Sequence, residues 1–283
     1  MKRRWFLGLP ALLAACSPAG MLNALTPEDG VTAEPDLAYG RHERQRLDIY
    51  RPMAAEAPAP VIVFLYGGAW RTGSRTMYRF LAAPLARRGH VVVVPDYRLY
   101  PEARFPDFLR DAAAATAWVR QRIDRFGGDP GRIILVGHSA GAHMALMLTL
   151  DPAWLGEVGM DPDRDMAGTV GLAGPYDFLP TADPQLRAVF PGPAAISQPI
   201  GFARAGAPPV LLLHGRDDRV VRAEQTLRMA AALRSAGGAV RDRVYDGVGH
   251  ATLVGAVAGP LRWFAPVLED IDGFARAPRS LAA

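Results

Sequence analysis

Ser139 stands at the centre of Gly137-His138-Ser139-Ala140-Gly141, after the apolar run Ile133-Ile134-Leu135-Val136 and before the Ala-rich stretch 142–150. That order reads as strand, sharp turn and helix, with one hydroxyl at the apex. A serine held in a strained turn needs neighbours without side chains, and the flanking glycines leave its hydroxyl free to meet a substrate carbonyl. Such a hydroxyl attacks only when a base takes its proton, and the base needs an acid to orient it. Two later segments offer both. His214-Gly215-Arg216-Asp217-Asp218 follows the apolar run 210–213, and Asp246-Gly247-Val248-Gly249-His250 follows Arg243-Val244-Tyr245. His250 is the expected base, and one of the adjacent acids Asp217 and Asp218 its orienting group.

Acyl transfer also needs donors aimed at the developing oxyanion. Tyr66-Gly67-Gly68-Ala69-Trp70 follows the run 61–65, where such a loop belongs. The backbone amides of Gly68 and Ala69, with that of Ala140 after the nucleophile, are the expected donors. Trp70 and Tyr176 are expected to line the substrate pocket. The remaining histidines read as structural: His138 lies inside the turn, His143 one helical turn on and His214 in the acid loop. His42 and His90 have no partner at metal-ligand spacing, so no metal site is expected.

The elements that must position these groups are short continuous apolar runs at 61–65, 91–94, 133–136, 170–172 and 210–213, of the kind found inside parallel sheets. Arg46–Tyr50 alternates and is expected at an edge. Helix-like stretches at 108–123, 142–150, 223–235 and 253–268 alternate with the strands. The expected fold class is α/β, a mostly parallel doubly wound sheet flanked by helices. In such sheets ligands bind beyond the carboxyl ends of the strands, and every candidate residue follows an apolar run. The stretch 177–207, rich in Pro and Ala, is a place for a small lid or an ordinary surface excursion.

At 283 residues, half of them hydrophobic, the chain can bury one large core. Its 32 basic and 28 acidic residues are interspersed rather than striped, which disfavours nucleic acid as a partner. The N-terminus has Lys2-Arg3-Arg4, an apolar stretch from Trp5 to Ala15, and the only cysteine, Cys16. The stretch is too short to span a bilayer as a mature helix. Leu13-Ala14-Ala15-Cys16 resembles the lipobox of a bacterial lipoprotein signal, which implies removal of residues 1–15, acylation of Cys16 and an exported protein tethered to a membrane. Residues 16–36 read as a tether, 37–272 as the catalytic domain and 273–283 as a loose tail.

Gly67-Gly68-Ala69-Trp70, Asp96-Tyr97-Arg98-Leu99 with Pro101-Glu102 and Phe105-Pro106, the serine turn, Gly174-Pro175-Tyr176-Asp177 and Gly249-His250 together resemble the α/β-hydrolase fold serine esterases over roughly residues 37 to 270. The chain order serine, acid, histidine is that of this fold. The resemblance looks closest to the hormone-sensitive-lipase-like and kynurenine-formamidase-like groups, except that Tyr66 stands where they carry the histidine of a His-Gly-Gly motif. It implies that the acid three residues after the glycine, Asp218, orients His250, and that neither metal nor organic cofactor is used. The implied activity is carboxylic-ester hydrolysis through an acyl-enzyme on Ser139. An arylformamidase or small peptidase on the same groups, and a catalytically silent binding module, are the alternatives.

Overall fold

The apolar runs build the centre of one eight-stranded sheet. The computed structural model describes residues 18–54 and 58–278, with strands β1 (Val31–Ala38), β2 (Arg46–Pro52), β3 (Ala59–Leu65), β4 (Val91–Pro95), β5 (Gly128–His138), β6 (Gly168–Leu172), β7 (Val210–Gly215) and β8 (Val240–Tyr245) in the order β1-β2-β4-β3-β5-β6-β7-β8. β3 (Ala59–Leu65) and β4 (Val91–Pro95) bury every residue, as strands do when helices cover both faces of a sheet. β5 (Gly128–His138), β6 (Gly168–Leu172), β7 (Val210–Gly215) and β8 (Val240–Tyr245) continue from β3 in parallel. β8 alternates exposed with half-buried residues because it closes the sheet at one edge. The helices Arg79–Arg87, Asp107–Arg122, Ala140–Leu150, Glu224–Ser235 and Val267–Arg276 fall between or after the strands. This is the doubly wound α/β architecture expected from the sequence. The helix Ala140–Leu150 is buried on every side, so it is apolar all round instead of amphipathic.

Several local expectations are corrected. Arg46–Tyr50 belongs to β2 (Arg46–Pro52), which is an inner strand. The edge is taken by β1 (Val31–Ala38), antiparallel to β2 with a register shift between Glu34 and Leu37. The part of the tether from residue 18 on is therefore built into the fold: Pro18–Ala24 is a helix and Val31–Ala38 a strand. The helix expected at 253–268 is three pieces, His250–Gly255, a 3-10 turn Gly259–Phe264 and the start of Val267–Arg276: Pro260 and Pro266 lack an N–H to donate and stand at the starts of the second and third pieces. The expected tail begins later than position 273, because that helix runs on to Arg276. Residues 1–15 and Cys16, the expected signal and lipidation site, lie outside the described residues. Among the described residues, no helix is long and apolar enough to cross a membrane.

Candidate active site

β5 ends at His138, and Ser139 turns the chain into the helix Ala140–Leu150 with φ 54° and ψ −119°. That left-handed backbone is costly for a residue with a Cβ, and it is held by Ser139 N–H donating to the Leu172 carbonyl at 2.8 Å. The turn works only because glycine flanks it: a Cβ on Gly141 would overlap the Leu65 carbonyl oxygen at the end of β3. Gly67 passes equally close from the other side, where a Cβ would lie 2.9 Å from Ser139 Cβ and 3.0 Å from His138 Nδ1.

His250 opens the helix His250–Gly255 after β8. Its Nδ1 is 2.6 Å from Asp218 Oδ2, so Nδ1 carries the proton donated to the carboxylate and Nε2 keeps its lone pair. Asp218 is buried in the loop after β7. Its Oδ1 accepts from Val220 N–H at 2.8 Å and Val221 N–H at 2.9 Å, and His214 Nε2 stands 3.3 Å from Oδ2. Burial alone would raise this carboxyl, but the hydrogen bonds from His214, His250 and Val221 outweigh it and hold the group well below the usual carboxylate range. His214 itself bonds locally, to Thr226 Oγ1 at 2.7 Å and the Val221 carbonyl at 2.8 Å. Asp217 is exposed on the outside of the same loop, so of the two adjacent acids only Asp218 reaches His250.

His138 lies beside His250, ring centroids 4.8 Å apart, and its Nε2 donates to the His250 carbonyl at 3.2 Å. Burial, then the neighbouring His250, push the His138 imidazole down to about 3, so it stays neutral and acts as a backbone tie. His143 is likewise pushed down to about 4 by burial, against the pull of the Ser197 carbonyl that its Nε2 meets at 2.7 Å.

Two clefts meet at Ser139. One, of about 460 Å³, is lined by Trp70, Ala140, Pro175, Phe178, Leu186 and Gln225 among others, and the second, of about 590 Å³, by Gly67, Gly68, Met77, Tyr78, His138 and His250 among others. Ala69, Ser139 and Val220 border both. Ala69 has φ 52° and Trp70 φ 57°, a second strained turn opposite the first. Among the described residues, the amide N–H groups of Ala69 and Ala140 meet no backbone acceptor. Trp70 lines the first cleft as expected and stacks on Phe108 and Phe178. Tyr176 does not line either cleft: its ring turns inward, onto the space that Gly171 and Gly174 leave, and is wholly buried. Gln225, absent from the sequence expectations, takes that wall, its Oε1 accepting from Tyr176 N–H at 2.9 Å and Asp177 N–H at 2.7 Å.

Tyr66 does not face the serine. Its hydroxyl donates to Asp96 Oδ1 at 2.7 Å and accepts from Arg44 Nη2 at 2.8 Å, and its ring stacks between Tyr78 and Tyr97. Arg44 also donates to the Tyr97 and Gly73 carbonyls, and Arg75 closes the network onto Asp96 at 2.6 Å and Asp48 at 2.8 Å. The loop 66–73 is thus pinned from behind by a polar network in which Tyr66, Asp48 and Asp96 are buried and Arg44 and Arg75 half-buried. Of its members, Asp96 belongs to the Asp96-Tyr97-Arg98-Leu99 motif, whereas Arg44 and Arg75 carry no local sequence signal.

Residues 47–233 match the family model BD-FAE. Among curated proteins the chain is 34% identical to esterase LipC of Mycobacterium tuberculosis over 249 residues, covering 78% of this chain and 61% of LipC. It is 31% identical to isoprenylcysteine alpha-carbonyl methylesterase ICME of Arabidopsis thaliana, covering 80% of this chain and 58% of that protein. The chain therefore spans about 60% of the length of these relatives. Among solved structures it superposes on Thermogutta terrifontis esterase 2 with TM-score 0.72 at 26% identity, covering 88% of this chain and 95% of the other. Esterase B of Lactobacillus rhamnosis superposes with TM-score 0.79 at 18% identity, covering 96% of each.

Proposed function

The chain belongs to the BD-FAE family on an α/β-hydrolase fold, and from that premise we propose that it is a serine carboxylesterase acting through Ser139, His250 and Asp218. The observation that carries the reading is the His250–Asp218 pair, 2.6 Å apart, with its imidazole on the same cleft as a serine in a strained turn. Ser139 Oγ attacks the ester carbonyl while His250 Nε2 takes its proton, and Asp218 holds the tautomer and stabilises the imidazolium. The amides of Gly68, Ala69 and Ala140 receive the oxyanion, helped by the N-terminus of the helix Ala140–Leu150. His250 then protonates the departing alkoxide, and water repeats the sequence to free the acid. Because His250 serves the leaving group, the cleft it lines takes the alcohol part, and the cleft walled by Trp70, Phe178 and Gln225 takes the acyl part.

Fluorophosphonate labelling tests the nucleophile: the wild-type chain labels, and Ser139→Ala does not. Folded wild type that fails to label would return the chain to the silent binding module. Nitrophenyl esters of graded acyl length, assayed beside N-formylkynurenine and peptide anilides, test the substrate class, and turnover of the formyl amide alone would overturn the ester reading. The esterase names of the relatives support the ester side. The same reading includes export and acylation at Cys16, on the strength of the lipobox-like Leu13-Ala14-Ala15-Cys16. Mass spectrometry of the mature N-terminus tests it, and a cleaved but unmodified product would remove the anchor.

A further inference from the structure

If Cys16 is acylated, as proposed above, almost no chain separates the lipid from the fold. Ser17 alone lies between Cys16 and Pro18, where the first helix begins. Two residue steps reach at most about 7 Å from Cα to Cα. The acyl chains therefore fix which face of the domain meets the bilayer.

That face carries exposed apolar side chains. Met21, 56% exposed, lies on the outer side of the helix Pro18–Ala24, and Leu25, 61% exposed, directly follows the helix, while Ala19 and Leu22 pack inward. On one flank Asn23 holds the helix to the turn Arg75–Tyr78, donating to the Thr76 carbonyl at 3.0 Å, and to the helix Arg79–Arg87, accepting from Phe80 N–H at 2.8 Å. Met77, in that turn, borders the cleft that holds Ser139 and His250. On the other flank Leu22 and Leu261 both abut Gly255, and two residues past Leu261 stands Trp263, 76% exposed and stacked on Phe264 at 3.7 Å. Among the described residues eight large hydrophobic side chains are exposed, and four of them lie close together in the chain's fold: Met21 on this helix, Leu25 directly after it, and Met77 and Trp263 in the turns Arg75–Tyr78 and Gly259–Phe264 on its two flanks. Tryptophan with an apolar body and one polar N–H suits the headgroup layer of a bilayer, and an exposed apolar cluster of this kind marks an interaction surface.

We propose that the helix Pro18–Ala24, Met77 and Trp263 form one face that lies on the bilayer holding the Cys16 acyl chains, with the mouth of the active cleft kept at the lipid surface. The substrate class this favours is an ester presented in or at the membrane, delivered to the cleft beside Met77 without crossing bulk water.

The test uses the acylated full-length protein in phosphatidylcholine vesicles. Trp263 is the exposed indole of the mature chain, since Trp70 and Trp118 are buried and Trp154 is half-buried. Brominated acyl chains should quench its fluorescence, and Trp263→Phe should abolish that quenching. A 24-residue Gly-Ser linker inserted between Ser17 and Pro18 should lower the turnover of a vesicle-borne long-chain ester by about tenfold, because a long flexible tether dilutes and disorients the mouth. Turnover of water-soluble nitrophenyl acetate should not change. Met21→Asp/Leu25→Asp should behave as the linker does. Acylated protein whose Trp263 is not quenched, or whose vesicle-borne turnover ignores both changes, overturns this inference and leaves the esterase and the anchor standing. An unacylated N-terminus overturns the anchor and this inference together. Shielding of Trp263 that appears without lipid and grows with protein concentration would assign the face to a second copy of the chain and overturn the proposal.

Discussion

Tyr66→Phe separates two roles for the residue that opens the proposed oxyanion loop. If the phenol contributed a hydrogen bond to the oxyanion, its loss would lower kcat by about 10²–10³, as the loss of one such donor does. The geometry predicts otherwise. The hydroxyl is wholly buried and tied to Asp96 Oδ1 and Arg44 Nη2, behind the loop and not in front of it. Hydrogen bonds to charged groups contribute about 1.5–3 kcal/mol to stability, and a buried partner left without any acceptor or donor adds to the loss. Here neither partner is bare after the change: Asp96 Oδ1 still accepts from Arg75 N–H at 2.7 Å, and Arg44 Nη2 still donates to the Gly73 carbonyl at 3.0 Å. The expected cost therefore lies at the low end, about 1.5–2 kcal/mol of unfolding free energy, with kcat reduced less than about tenfold and KM unchanged. Urea unfolding and steady-state kinetics on one nitrophenyl ester measure both quantities. A fall in kcat of a hundredfold or more at unchanged stability would refute the assignment and put the phenol in the oxyanion site.

Asp218→Asn should lower kcat about 10⁴-fold, the size of effect seen when the orienting carboxylate of a serine triad becomes an amide, while Asp217→Asn, on the solvent side of the loop, should stay within about twofold; comparable losses at both would refute the choice of acid. Gly67→Ala, whose new methyl would press on Ser139 and His138, should destabilise the chain by about 1–3 kcal/mol and lower kcat with it, and wild-type kinetics from a fully folded variant would show that the loop has room to move. Stability should fall from neutral toward acid pH. His143 and His138 are held at about 4 and about 3 when folded, against about 6.5 when unfolded. The unfolded chain therefore takes up protons that the folded chain refuses, and the stability present above pH ~6.5 is lost as pH drops toward the folded values. From pH 7.5 to 5 the two rings together account for about 4 kcal/mol, and His143→Gln should remove about half of it; urea unfolding that gives the same free energy at both pH values would refute the burial argument.

What the sequence made legible is what chemistry forces to be local. A sharp strand-to-helix turn needs glycines at fixed offsets, so the turn at Ser139 could be read directly, and strands buried on both faces are continuous apolar runs, so β3 to β7 could be read too. β1 could not: an edge strand covers one face only, and Pro35 and Asp36 sit at its register shift, so Val31–Ala38 looks like a polar linker. β2 looks like an edge because Asp48 breaks its apolar pattern, yet that carboxylate is buried and satisfied by Arg75 from a distant turn. The direction of the Tyr176 ring is illegible for a related reason. An aromatic after a strand can turn either way, and the space that decided it belongs to Gly171 and Gly174, whose significance appears only once the ring is seen against them. The Tyr66 network is the extreme case, since Arg44, Tyr66, Arg75 and Asp96 come from four separate segments and no periodicity relates them. A position that carries a histidine in similar enzymes could therefore be read as a defect in the oxyanion site, whereas its hydrogen bonds to Asp96 and Arg44 make it part of the scaffold that keeps Gly67 and Ala69 against Ser139. Substitution of a support residue is tolerable wherever the new side chain finds buried partners of its own, and that is a property of the folded neighbourhood, which no local pattern encodes.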